Sequence, residues 1–220
     1  MCYFRRSVEP QPASSLQIRV YERLAAAAWV YLLYFGGYGL VNRRLRIADC
    51  TDLTLSLDRY IPFLSEFVAP FYLAYLIVLV PALVIRDRRL LGHAVVAFTA
   101  LVLLSCLLFV LFPTYVPRPT IAGSSLSDAL VGAIYAADRP SCAFPSLHVS
   151  SVALSALVLR RESRRYGRLL WPCVGLVALS TLFIKQHVVL DVLGGLGVAA
   201  GVEWATFRYF WRTAPERLLA

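Results

Sequence analysis

The sequence predicts an all-α fold, a polytopic membrane bundle of six transmembrane helices. Three observations predict it. Fifty-nine per cent of the 220 residues are hydrophobic, too many for a soluble domain of this size. Only 16% are charged, and these cluster between apolar runs. The runs approach the ~20 residues that a helix needs to cross a bilayer.

Six runs stand out, at residues 24–41, 67–85, 91–112, 145–159, 169–184 and 188–207. The first follows a basic, Pro-containing lead with no small-residue cleavage pattern, and reads as an uncleaved span. The fourth is short. The fifth and sixth are separated only by Lys185-Gln186-His187. A single helix over both would run ~58 Å, about twice the hydrocarbon thickness. The chain therefore turns back near Lys185, although neither Gly nor Pro marks the turn. This divides the chain into a cytoplasmic lead (1–23), a membrane domain (24–207) and a cytoplasmic tail (208–220).

The basic residues orient the bundle. Fifteen of the 22 Lys and Arg fall in the lead, the 86–89 turn, the 160–168 turn and the tail. Those segments are placed in the cytoplasm, and the active face at the exterior or periplasm of a bacterial inner membrane. Arg43, Arg44 and Arg46 run against this bias. The net charge of +9 is read as topology and anionic-lipid contact, with no nucleic-acid partner, because no basic patch interleaves with aromatics.

Residues 113–143 are too polar to span. Pro117, Pro119 and Gly123 predict a loop, and residues 128–137 a short interfacial helix. Residues 58–63 are placed along the membrane surface. Gly194, Gly195, Gly197 and Gly201 predict a small-residue packing face on the sixth span. Cys106 and Cys173 read as core, whereas Cys50 and Cys142 lie in loops on one side, which makes a disulfide between them possible. No Cys/His spacing predicts a metal, and no cofactor is expected.

The chain has three histidines and one lysine, and most of these gather in two segments at the ends of apolar runs. These are Phe144-Pro145-Ser146-Leu147-His148 and Lys185-Gln186-His187-Val188-Val189-Leu190-Asp191. Ionisable groups at such places are costly and usually functional. On a helix, His187 and Asp191 share a face. Asp191 can then hold one ring nitrogen and leave the other as a nucleophile; the alternative is a polar pair stitching two spans. His148, after Pro145-Ser146, suits a general acid or simply sits beside a helix cap. Arg118, Lys185, Ser146 and, more weakly, Arg139 are candidate phosphate contacts. His93 lies at the opposite side and reads as structural.

Taken together, Arg118-Pro119, Pro145-Ser146-x-His148 and His187-x-x-x-Asp191 resemble the type 2 phosphatidic acid phosphatase superfamily. Phe144–His148, Lys185-Gln186-His187, Tyr135–Pro140 and Asp58–Pro62 resemble its inositol phosphorylceramide synthase branch, an inositolphosphotransferase group with bacterial relatives. The resemblance spans roughly residues 50–205. It implies a metal-independent lipid phosphatase or phospho-headgroup transferase with a phosphohistidine intermediate. His187 is then the nucleophile, Asp191 its orienting partner and His148 the acid and base. Arg118, Ser146 and Lys185 hold the phosphoryl oxygens. The partners implied are a membrane lipid phosphate and a lipid or polyol alcohol acceptor.

Leu111, Leu147 and Thr181 stand where the broader phosphatase pattern has a lysine, a glycine and an arginine. Their presence favours transfer, or a lipid phosphate other than phosphatidate. The competing reading is a non-catalytic lipid transporter or scramblase that uses the same headgroup pocket. A serine protease using Ser124 or Ser125 fits poorly in a Pro/Gly-bounded loop.

Overall fold

The computed structural model describes residues 18–213. Most of the predicted lead, and the end of the tail, lie outside the described residues. The helix α1 (Val20–Tyr31) passes through a π-helical turn at Leu32–Gly37 into α2 (Tyr38–Arg44). Then come α3 (Val68–Val84), α4 (Arg88–Leu111) and α5 (Leu126–Ala137). The chain continues with α6 (Leu147–Glu162), α7 (Arg164–Phe183) and α8 (Val189–Thr213).

Among the described residues, five stretches are long and apolar enough to cross a membrane. They are Val20–Arg44, Ser65–Val84, Arg88–Leu111, Arg164–Phe183 and Val189–Tyr209. They fit an integral membrane protein. The predicted fourth span corresponds to α6, whose 16 residues make only ~24 Å of helix, short of the ~30 Å hydrocarbon core. Five helices, not six, therefore meet the requirement by length and composition.

The reason lies in where α6 sits. It packs against α3, α4, α7 and α8, and all but a few of its side chains are buried. A helix shielded by protein needs no apolar belt, so α6 carries serines instead. The hydroxyls of Ser150, Ser151 and Ser155 donate to the backbone oxygens of Leu147, His148 and Ser151. Phe98, Leu101, Leu154 and Leu159 form the main core around it. A second cluster, with Val68, Phe71, Val131 and Ile184, seats α5 against α3 and the end of α7.

Close approach brings the starts of α6 and α8 together. A Cβ on Gly195 would stand 2.7 Å from the Ser146 backbone oxygen, and one on Gly194 would enter the Phe144 ring. Gly197 and Gly201 meet nothing within 4 Å, so only half of the predicted glycine face packs this way. In return, the Ser146 N–H donates to the Asp191 backbone oxygen at 2.9 Å.

The loops at this end are stitched together. Strand β1 (Thr51–Asp52) pairs in parallel with β2 (Thr114–Tyr115), and Tyr115 bridges to Ser141. The Asn42 side chain donates to the Ser141 backbone oxygen at 3.1 Å and accepts from the Arg139 N–H at 3.3 Å. Cys50 and Cys142 are both free thiols, so the disulfide between them is not formed. At the other end of α6 and α8, Arg161 pairs with Glu203 at 2.9 Å, and buried His93 contacts Thr206 at 3.2 Å.

Candidate active site

The turn predicted near Lys185 forms without glycine. Helix α7 ends at Phe183, and Lys185 adopts a left-handed backbone with φ 53°. The Gln186 and His187 N–H groups both bond the Thr181 backbone oxygen, at 2.9 and 3.1 Å. His187 therefore precedes α8, and Asp191 lies in the first turn of that helix. The Asp191 Oδ2 accepts from the Val188 N–H at 3.0 Å and faces His187 Nδ1 at 3.3 Å. The contact is thus made across a helix start, where the sequence suggested two positions within one helix.

Asp58, quoted above as part of a family-like stretch, caps the same helix. It is buried, and its Oδ1 accepts from the Val189 N–H at 2.8 Å. Ser146 caps α6, with its hydroxyl accepting from the Val149 N–H at 3.3 Å. This cap sets His148 in the first turn of α6, facing α8.

The imidazoles meet there. His148 Nδ1 lies 3.3 Å from His187 Nε2, and His148 Nε2 lies 3.1 Å from the Tyr75 hydroxyl of α3. His148, His187 and Asp191 are 8%, 6% and 0% exposed, so they interact out of bulk water. A proton on His187 Nδ1 would bond Asp191 Oδ2 and leave Nε2 as a lone pair. In that tautomer the His148–His187 contact takes its proton from His148 Nδ1.

Arg118, His148 and His187 line one cavity of about 710 Å³. Its wall is aromatic on the α1–α3 side, with Tyr34, Phe35, Tyr72 and Tyr75, and polar near Arg118, Asp138 and Gln186. Arg118 lies over the Tyr135 ring at 4.5 Å, and the Tyr135 hydroxyl donates to the Ile184 backbone oxygen at 2.6 Å. Arg118 Nη1 donates to the Asp138 backbone oxygen at 2.5 Å, and Nη2 lies 3.5 Å from the Asp138 carboxylate. The same carboxylate accepts from the Tyr38 hydroxyl at 2.5 Å and from Gln186 Nε2 at 3.0 Å.

Burial pushes the Asp138 carboxyl above its ordinary range, against the pull of the Tyr38 hydrogen bond and the Arg118 charge. Burial also pulls Arg118 down, with Asp138 opposing. Among the described residues, buried Arg118 Nε and Gln186 Oε1 have no hydrogen-bond partner. A donor and an acceptor on two residues that line the cavity are therefore buried without a partner.

The other predicted phosphate contacts do not line this cavity. Lys185 Nζ donates to the backbone oxygens of Asp58 and Ile61, at 3.2 and 2.6 Å. Arg139 Nη1 donates to the Arg43 backbone oxygen at 3.0 Å. Ser146 is fully buried as the α6 cap. Among the lining residues that went unread in the sequence are Asp138, Gln186 and Tyr75. Asp138 and Gln186 fall inside the quoted stretches, so attention to their own side chains could have found them. Tyr75 is one aromatic in an apolar run and carries no sequence signal. Among the described residues, no three His, Cys, Asp or Glu side chains gather to hold a metal.

A family model described as PAP2 superfamily matches residues 57–205, more than half of the chain. The chain belongs to the PAP2 superfamily. No curated protein matches it. For a PAP2 protein, membership suggests a membrane phosphatase-type function on a lipid phosphate. The matched PAP2 region holds Arg118, His148, His187 and Asp191 but not α1 and α2. Tyr34, Phe35 and Tyr38 of the cavity wall thus lie outside the matched residues.

Proposed function

We propose that this chain is an integral membrane lipid-phosphate phosphatase or phosphotransferase that works through a phosphohistidine. The observation that carries this reading is the line from Asp191 Oδ2 through His187 to His148 Nδ1, with gaps of 3.3 Å and 3.3 Å, on the wall of a cavity shared with Arg118. A nucleophile oriented by a buried carboxylate, beside a second imidazole and a guanidinium, is the equipment that phosphoryl transfer needs.

His187 Nε2 attacks phosphorus, and the bond from phosphorus to the lipid oxygen breaks. His148 protonates that oxygen, then takes a proton from water or an alcohol that attacks the phosphohistidine. Arg118, which lines the cavity with both histidines, holds the phosphoryl oxygens. Ser146, Lys185 and Arg139 serve by holding the scaffold around the histidines. The chemistry uses these side chains without a metal ion.

The aromatic wall of Tyr34, Phe35, Tyr72 and Tyr75 suits the chain-bearing part of a phospholipid, polyprenyl (pyro)phosphate or phosphoinositol lipid. A polyol acceptor fits the inositolphosphotransferase branch. Helix α6 completes a sixth crossing within the shelter of its neighbours. Both termini are then cytoplasmic, and the cavity opens on the extracytoplasmic face, as the arginine bias favours.

The test uses purified protein in detergent–lipid micelles. A panel of lipid phosphates, pyrophosphates and phosphoinositides is offered with and without diacylglycerol, ceramide or inositol, and with His187→Ala as control. Phosphate release without an acceptor identifies a phosphatase. A new lipid formed only with an acceptor identifies a transferase. No His187-dependent product from the panel would count against the enzyme.

A further inference from the structure

We propose that Tyr75 is a positioning residue that makes Nδ1 the working nitrogen of His148. The inference rests on the phosphoryl-transfer reading and adds a residue to it. The Tyr75 hydroxyl is 3.1 Å from His148 Nε2, while His148 Nδ1 faces His187 at 3.3 Å. The two nitrogens of one imidazole therefore have separate tasks. Nε2 points to a protein hydroxyl, and Nδ1 points to the nucleophile and the cavity.

A hydroxyl can donate or accept, so Tyr75 can keep Nε2 bonded in either charge state of His148. In the empty site, the Tyr75 O–H donates to Nε2 and the imidazole proton stays on Nδ1. When a phosphate dianion binds, His148 takes up one proton from solvent, so that both nitrogens carry protons and Nε2–H donates to the Tyr75 oxygen. His187 Nε2 then forms its bond to phosphorus, and the bond from phosphorus to the leaving oxygen breaks. The electron pair on that oxygen takes the Nδ1 proton. His148 is left neutral with its remaining proton on Nε2, still held by Tyr75. In the second half, the acceptor hydroxyl bonds to phosphorus and its proton passes to Nδ1. The N–P bond breaks and returns its electron pair to His187.

The surroundings fix Tyr75 for this task. Its ring stacks on Phe35 at 5.6 Å and meets the His148 ring edge-on at 5.6 Å. Its backbone oxygen accepts from the Tyr31 hydroxyl of α1. None of these contacts uses the Tyr75 hydroxyl. Tyr75→Phe therefore keeps the ring, its packing and the tie to α1 while removing only the bond to Nε2.

Two readouts test this. In turnover, a long-chain alkyl phosphate is compared with a nitrophenyl phosphate of similar chain length. Tyr75→Phe should lower kcat roughly 10- to 100-fold on the alkyl phosphate, whose departure needs a proton, and much less on the nitrophenyl ester. KM should hold on both. Equal losses on the two substrates, or no loss, would overturn the proposal. The second readout needs no substrate. The chain has three histidines, so ring-¹⁵N spectra of the protein in micelles can be assigned by single substitutions. Wild-type His148 Nε2 should show the ¹⁵N shift of a hydrogen-bonded nitrogen, and Tyr75→Phe should move it toward that of an unbonded imidazole nitrogen. An unchanged His148 Nε2 resonance would overturn the proposal even where turnover falls. If the wild type turns over neither ester, the enzymatic reading fails by itself, and the Nε2 resonance alone decides the role of Tyr75.

Discussion

Lys185 reaches Asp58 across the turn that carries His187. The Lys185 ammonium donates to the Asp58 backbone oxygen at 3.2 Å. The Asp58 carboxylate accepts from the Val189 N–H at 2.8 Å, beyond His187. The left-handed backbone at Lys185, with φ 53°, turns this side chain toward the 58–61 loop. Holding a non-glycine residue there costs on the order of 1 kcal/mol, which the tether offsets.

Lys185→Met should therefore act on the scaffold. The expected cost is roughly 1–3 kcal/mol of stability, from losing charge-assisted hydrogen bonds. Turnover should fall with it, because His187 loses one wall of its turn. KM for a lipid phosphate and inhibition by inorganic phosphate should stay within about twofold. A much larger rise in KM would put the ammonium on the substrate phosphate instead.

His187→Ala should abolish turnover, with a loss of about 10³-fold or more. Asp191→Asn keeps an acceptor for the Val188 N–H but loses the charge that steadies a protonated His187. Its kcat should drop by about 10²- to 10⁴-fold. Thermal midpoints in detergent should move by only about 3 °C for either variant. Wild-type turnover in either variant would remove His187 as nucleophile.

His148, His187 and Asp191 were legible in the sequence because ionisable residues are rare in this chain and these stand at the ends of apolar runs. Helical membrane architecture was legible from the same runs. The status of α6 was not. Hydropathy reports what a helix shows to lipid, and α6 is enclosed by other helices. Side-chain direction was not legible either. Composition shows a lysine two residues from His187, but the left-handed turn that swings it to Asp58 depends on a loop 124 to 127 residues away. Tyr75 acquires its place only when α3 crosses α6 in space. Asp138 reads as one more loop carboxylate until Arg118, Tyr38 and Gln186 converge on it.

Asp138 should leave a mark on the pH dependence of stability. Burial raises its folded-state pKa above the unfolded value, so the native state holds the proton more tightly. The stability that this group contributes is present below the ordinary carboxylate pKa and is lost as pH rises through the raised one. Asp138→Asn removes that titration and keeps an acceptor for Tyr38. Thermal unfolding in detergent from about pH 4 to about pH 7 should show wild-type stability falling relative to the variant as pH rises. A difference that rises with pH would mean that the Arg118 charge outweighs burial.

Cys142 lines the cavity, and burial pushes its thiol from 9.0 up to about 12. Alkylation requires the thiolate, so a rise of this size lowers the reactive fraction about 1000-fold near pH 8. Iodoacetamide followed by mass spectrometry should find Cys142 about 1000-fold slower in the folded protein than in the denatured chain. Reaction at the denatured rate would show a thiol open to water.

Gly195 sets the distance between the two helices that carry the histidines. A Cβ there would stand 2.7 Å from the Ser146 backbone oxygen and 3.4 Å from the Ser150 nitrogen. That backbone has little room to yield, because the Ser146 N–H is bonded to the Asp191 backbone oxygen at 2.9 Å. Gly195→Ala must therefore push the start of α6 away from α8, and His148 away from His187. The expected cost is about 1–3 kcal/mol of stability. A displacement near 1 Å at the reacting groups should lower kcat by about 100-fold. Gly197→Ala, whose Cβ meets nothing within 4 Å, should keep both stability and turnover. Equal effects of the two substitutions would mean that α6 can shift along α8 without cost, so that glycine packing does not set the spacing of the imidazoles.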